Sequence, residues 1–220
     1  SLHADEAYEE LSDEAKVVCE HLFKSLTEKG SDNRGIRHPT SISFLSEISK
    51  SNFTVVAEVV ESFRKQGRSF LTPSYESNLT EASIVDISHE SLMRIWIRLK
   101  GWVEEESEAV QIYLRISEAS ANYQLGKASL WRPPDLQLAV NWREKKQPTL
   151  RWGERFDPAF ERAMVFLDTS KREYELEEEN KIKRQKAEVR RSRIVAIILG
   201  TAAVIALFLT LFAFVQMQEA

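Results

Sequence analysis

Cysteine is almost absent: Cys19 stands alone among 220 residues. A lone thiol excludes an intramolecular disulfide and any cysteine-built zinc site. Glycine is scarce too, at seven residues, and none composes G-x-x-x-x-G-K-[ST], G-x-G-x-x-G or G-x-S-x-G. The chain therefore carries no phosphate-cradling loop and no nucleophile elbow of its own. Only four histidines occur, His3, His21, His38 and His89. None has metal-ligand spacing; "SHESL" begins like H-E-x-x-H, but Met93 stands where the second histidine belongs. No catalytic or metal-binding constellation emerges, so the chain is expected not to be an enzyme by itself. A positive surplus is missing as well. Residues 1–170 hold 21 Lys+Arg against 27 Asp+Glu, a net of −6. That balance matches a nucleic-acid surface poorly.

What is present begins at the C-terminal end. "IVAIILGTAAVIALFLTLFAFV", residues 194–215, carries no charge. As a helix it spans roughly 33 Å, which predicts a single transmembrane helix. Before it lies "KIKRQKAEVRRSR", with Lys181, Lys183, Arg184, Lys186, Arg190, Arg191 and Arg193, and nothing basic follows. The positive-inside rule then predicts a single-pass protein of the inner membrane with its N-terminal part cytoplasmic. The same cluster would attract anionic membrane lipid. The chain opens at Ser1 without an initiator Met and is read as a piece of something longer.

The remainder reads as mainly α. Ser12 is a candidate N-cap, Asp13 and Glu14 fall in a first turn, and Val18, Leu22 and Leu26 recur at helical spacing. Short helices are predicted over about 43–49 and from about 52 or 54 to 67. Strand, turn-rich loop and strand follow within "RSFLTPSYESNLTEASIVDIS". Three helices and a β-hairpin predict a winged helix-turn-helix with a hairpin wing over residues 1–104. A small helical domain is expected over 105–170, with helices near 107–125, 134–146 and from 158 onward. A charged helical linker over 171–193 completes the order before the membrane segment. All five tryptophans, Trp96 to Trp152, are assigned to the core of the helical domain. The run Glu104, Glu105 and Glu106 reads as a solvated helix face.

One stretch, "VDISHESLMRIW" (85–96), places a His-Glu pair where a β-like run turns helical. Taken alone it admits a plain reading: Ser88 caps a helix and Glu90 sits in its first turn. The surroundings add a second reading. In "VDISHESLMRIWIRLKGWVEEE", Ile87, His89, Glu90, Leu92, Arg94, Trp96, Arg98, Leu99, Trp102 and Glu104 stand at the positions of a motif. The segment resembles one found in the novel STAND NTPases, bacterial signal-transduction ATPases. "YEELSDEAKVVCEHLFKSLTE", "YLRISEASANYQLG", "LWRPPDLQLAVNWR" and "FLDTSKREYELEEE" look like the same family.

The resemblance implies a winged helix that follows a P-loop domain and a helical domain. In STAND ATPases the winged helix often carries a hydrophobic-His-Asp triplet whose histidine contacts the β-phosphate of bound ADP in the closed state. By position His89 looks like that histidine and Glu90 like its acidic neighbour, although Glu replaces the commoner Asp. Both are therefore candidate cofactor-binding residues for ADP or ATP held by an upstream NTPase domain outside this chain. Expected partners are that P-loop domain, membrane lipid and further copies on activation, with WD-type repeats or other sensors downstream. The reading that results is a regulatory segment of a membrane-anchored STAND ATPase. The alternative is a membrane-tethered transcription regulator that grips DNA through Arg64, Lys65 and Arg68.

Overall fold

In the computed structural model the backbone of residues 2–30 and 35–218 and the side chains of 3–30 and 35–206 are described. The chain divides into two compact units, Ser1–Leu167 and Asp168–Ala220.

The first unit opens with helix α1 (Leu2–Glu9), which periodicity had not marked, and α2 (Asp13–Ser25). Ser12 caps α2 as expected, its hydroxyl accepting the Ala15 N–H at 3.2 Å. The chain then turns into β1 (Thr27–Lys29), which pairs antiparallel with β2 (Gly35–Arg37). Strand β3 (Thr40–Ser41) leads into α3 (Ile42–Ser49), capped by Ser41, and α4 (Phe53–Arg64), capped by Asn52. Val56, Val59, Val60 and Phe63 recur at helical spacing and bury one face of α4. Strands β4 (Leu71–Thr72) and β5 (Ile84–Ile87) complete a three-stranded sheet of order β3-β5-β4.

The expected winged helix is not what these sheets show. The hairpin that would form the wing pairs over two positions only, Leu71 with Ile87 and Thr72 with Asp86. The physical cause is Arg64. Its guanidinium donates to the carbonyls of Pro73 at 3.3 Å, Ser74 at 2.6 Å and Ser77 at 2.7 Å. Those bonds hold the segment after β4 against α4, where a projecting ribbon would have to leave it.

Beyond β5 comes a five-residue helix, α5 (Ser91–Ile95), and then α6 (Ile97–Gln124), which begins well before the helix expected near 107–125. The expected domain boundary at 104/105 falls inside it. Helices α7 (Asp135–Lys146) and α8 (Leu150–Glu154) follow, α8 being unforeseen. Helix α9 (Phe160–Gln218) starts two residues later than the expected 158, and in the approach to it Asp157 Oδ1 accepts the Ala159 N–H at 2.7 Å.

Two cores lie inside this unit. The first gathers α1 to α5 and the start of α6 around Phe23, Phe63, Trp96 and Trp102. Trp96 and Trp102 thus leave the helical core to which all five tryptophans had been assigned. The second gathers Tyr113, Trp142, Trp152 and Phe160, with ring centroids 5.5–6.5 Å from Tyr113.

The described residues of the second unit lie within α9. The expected transmembrane helix is not supported: among the described residues no helix is long and apolar enough to cross a membrane. Residues 171–193 of α9 are rich in charge, and the uncharged side chains described are those of 194–206. Thirteen residues reach about 20 Å as a helix, short of a hydrocarbon core. The rest of the expected span, 207–215, lies outside the described side chains. The single-pass inner-membrane location, with its cytoplasmic N-terminal part, loses its support with the span.

Candidate functional site

The site is set by the passage from β5 to α6. Along β5, Val85 and Ile87 are buried, so the strand is pinned to the core by alternate side chains. Ser88 N–H donates to the Phe70 carbonyl at 2.9 Å, and the chain then leaves the sheet at His89. On the far side Leu92 and Met93 are buried again. At Trp96 the backbone turns extended (φ −86°, ψ 103°), which ends α5 and starts α6 at a new angle. Trp96 fixes this elbow. Its ring is fully buried, 5.0 Å from Phe23 and 5.4 Å from Trp102 between centroids, and its Nε1–H donates to Asp5 at 2.8 Å.

His89 and Glu90 therefore occupy an exposed step between two anchored segments. The plain capping reading does not hold here. Glu90 takes the N-cap position in helical geometry, and no side chain caps α5. The first turn closes through the backbone, Leu92 N–H to the His89 carbonyl at 3.0 Å and Met93 N–H to that of Glu90 at 3.1 Å. Among the described residues the His89 side chain makes no hydrogen bond or ion pair. The other histidines differ. His3 lies 3.0 Å from Glu6 and His38 3.2 Å from the Thr40 hydroxyl, while burial pushes the half-buried His21 imidazole down.

Arg37 embraces the same step from β2. Its Nη1 donates to Asp86 Oδ2 at 3.0 Å and to the Ile87 carbonyl at 3.1 Å, and its Nε lies 3.9 Å from Glu90 Oε1. Sequence reasoning missed Arg37 because 50 residues separate it from Ile87. Beside Glu90 a cleft of about 520 Å³ opens between the β1–β2 ribbon and the α5–α6 elbow. Among the described residues no group of three His, Cys, Asp or Glu side chains is placed to hold a metal ion.

The family model described as Novel STAND NTPase 1 matches residues 1–129, more than half of the chain. The chain belongs to the Novel STAND NTPase 1 family. No curated protein and no solved structure matches it. The matched stretch runs from the N-terminus past the end of α6 and contains His89, Arg37 and the whole cleft. Nothing in the match supports the WD-type repeats expected downstream.

The three cations on which DNA reading would depend are already engaged in this STAND-family chain. Arg64 is 2% exposed and grips Glu61 through Nε at 3.0 Å and Nη2 at 2.6 Å. Lys65 Nζ lies 2.9 Å from Glu10, and Arg68 donates to both Glu10 oxygens. Hydrogen bonds from Arg68 and then Lys65 hold the Glu10 carboxyl down at about 2. Of the run at 104–106, Glu104 and Glu105 are exposed as a solvated face requires, and Glu106 is not. Glu104 meets Lys29, Glu105 meets Lys24, and Glu106 is buried. The Glu106 carboxylate accepts from Lys146 and, at 2.5 Å, from Trp152 Nε1.

Proposed function

We propose that this chain is a regulatory segment of a STAND NTPase that relays nucleotide state between a P-loop domain outside it and other modules. In this reading the chain is not itself the enzyme. ADP or ATP is the cofactor, held by the upstream domain, and His89 reads its phosphate. The observation that carries the proposal is the placement of His89, exposed and unpartnered among the described side chains, on a step fixed by buried Ile87 and Trp96. A neutral imidazole can donate one hydrogen bond to a phosphate oxygen, and an imidazolium can add charge. Helix α5, at five residues, contributes little macrodipole, so the attraction falls to side chains. Contact in the ADP state and its loss in the ATP state would shift the segment between two positions. The size of that shift is set by the difference in affinity between the two states.

The test uses the P-loop domain of the same protein, loaded with ADP or with a non-hydrolysable ATP analogue. The expected outcome is tighter binding of this chain to the ADP-loaded domain, by about tenfold. Equal affinity for the two forms would remove the relay. Further copies as partners on activation belong to the same proposal, checked by sedimentation of the full-length protein in each nucleotide state.

A further inference from the structure

We infer that the cleft lined by Glu90, Arg94 and Lys100 is a phosphate site and that Glu90 is its built-in competitor, not a ligand. The cleft volume, about 520 Å³, suits a small molecule. Met93 and Val103 give it an apolar wall, and Lys29, Arg94, Lys100, Glu90 and Glu104 supply charge. These charges do not cancel evenly. Lys29 Nζ lies 2.7 Å from each Glu104 oxygen, so that pair is satisfied. Arg94 and Lys100 are exposed, and among the described residues their side chains make no hydrogen bond or ion pair. The Glu90 side chain is 66% exposed and reaches Arg37 Nε only at 3.9 Å, a contact that water screens. Among the described residues the cleft thus holds two cations with no side-chain partner and one loosely tethered carboxylate.

A phosphate satisfies that arrangement better than Glu90 does. It brings up to two charges and several acceptor oxygens, and a guanidinium can meet two of them at once. Glu90 lines the same cleft as Arg94 and Lys100, so its negative charge opposes an incoming anion there. The ligand class is a compound with a terminal phosphate or pyrophosphate. That it is the nucleotide of the NTPase rests on the function proposed above, whereas the affinity of the cleft for phosphate does not. A glutamate in this place acts as a threshold: it keeps the site closed to stray anions and lets a polyphosphate in.

The test titrates inorganic pyrophosphate into the 220-residue chain by calorimetry. Arg94→Ala with Lys100→Ala is expected to weaken binding by about tenfold or more. Glu90→Gln is expected to tighten it by about threefold, and raising salt to weaken it in the wild type. These positions are exposed, and an unchanged circular-dichroism spectrum and melting curve certify each variant. Absence of pyrophosphate binding at millimolar concentration, or binding unchanged in the double variant, would overturn the site. Binding no tighter in Glu90→Gln would overturn the competitor role. If His89→Ala loses ADP in the full-length protein while the double variant keeps its pyrophosphate affinity, the proposed function stands and this inference falls. If the double variant loses pyrophosphate while His89→Ala retains ADP, the cleft stands and the histidine sensor falls.

Discussion

The two cores of the first unit are built from the same materials and closed in different ways. Around Phe23, Phe63, Trp96 and Trp102 the contact is ring against ring, with Trp96 Nε1 to Asp5 as its polar bond. Around Tyr113, Trp142, Trp152 and Phe160 the rings surround ionic groups. Glu106 is buried there against Lys146 and Trp152. Nearby, Arg155 donates to the carbonyls of Lys24 at 3.4 Å and Thr27 at 3.1 Å, and burial pushes its guanidinium down. The difference teaches what each core is for. An aromatic core stabilises through apolar area and packing, without dependence on pH, and it holds the elbow that presents His89. A buried ion pair adds little net stability but punishes the loss of either partner. The second core is thus the one that charge and pH can loosen.

Substitutions can break or sharpen that contrast. The largest effect is expected from Trp96→Ala, which empties the centre of the first core and removes the indole hydrogen bond to Asp5. It should cost about 3–5 kcal/mol in urea unfolding. A loss under about 1 kcal/mol would mean that the elbow is not held by its indole. Next comes Glu106→Leu, which strands Lys146 and the Trp152 N–H, at a cost of about 3 kcal/mol. Adding Lys146→Met to it should recover most of that loss, because the remaining unpaired charge is gone. Failure to recover would show that Glu106 matters for shape and not for charge.

Tyr113 provides a smaller and pH-dependent effect. It is fully buried and donates to the Asp157 carbonyl at 2.6 Å; burial, with Asp157 nearby, pushes its hydroxyl up to about 12. An unfolded tyrosine ionises near 10. Its contribution is therefore complete below about pH 10 and is lost as pH rises through about 12. Tyr113→Phe should flatten the alkaline limb of stability against pH, and an unchanged limb would place the loss elsewhere. The smallest effect belongs to Glu10→Gln at the surface of the first core. The wild-type contribution is present above about 4.5, the unperturbed carboxylate value, and fades as pH falls toward about 2. Screening by water keeps it small. The same variant frees Lys65 and Arg68; strong salt-dependent duplex DNA binding by the wild-type chain would contradict their engagement.

Local signals in the sequence were the ones that survived. Ser12 and Asn52 cap helices as their side chains demand, and the spacing of Val56, Val59, Val60 and Phe63 fixes the buried face of α4. The step at His89 was legible because a β-like run and a helical run meet there. What depended on distant pairs was not. Thr27 and Arg37 become strand partners across a turn-rich segment that reads only as loop. Arg64 looks like a surface cation until the carbonyls of the 73–77 segment close on it. Glu106 looks like its neighbours Glu104 and Glu105 until Lys146, forty residues on, reaches it. The break at Trp96 was also hidden, since Ile95 and Ile97 continue an apolar pattern although both are exposed. The uncharged run after 193 read as a membrane span by length alone, and 13 described side chains do not make that length.

One measurement reaches the centre of the account: the rate at which the full-length protein releases ADP, compared between wild type and His89→Ala. Loss of one phosphate contact should speed release by about tenfold, with melting temperature unchanged because His89 is exposed. An identical release rate in the two proteins would contradict phosphate sensing and leave His89 as an exposed histidine on a well-anchored turn.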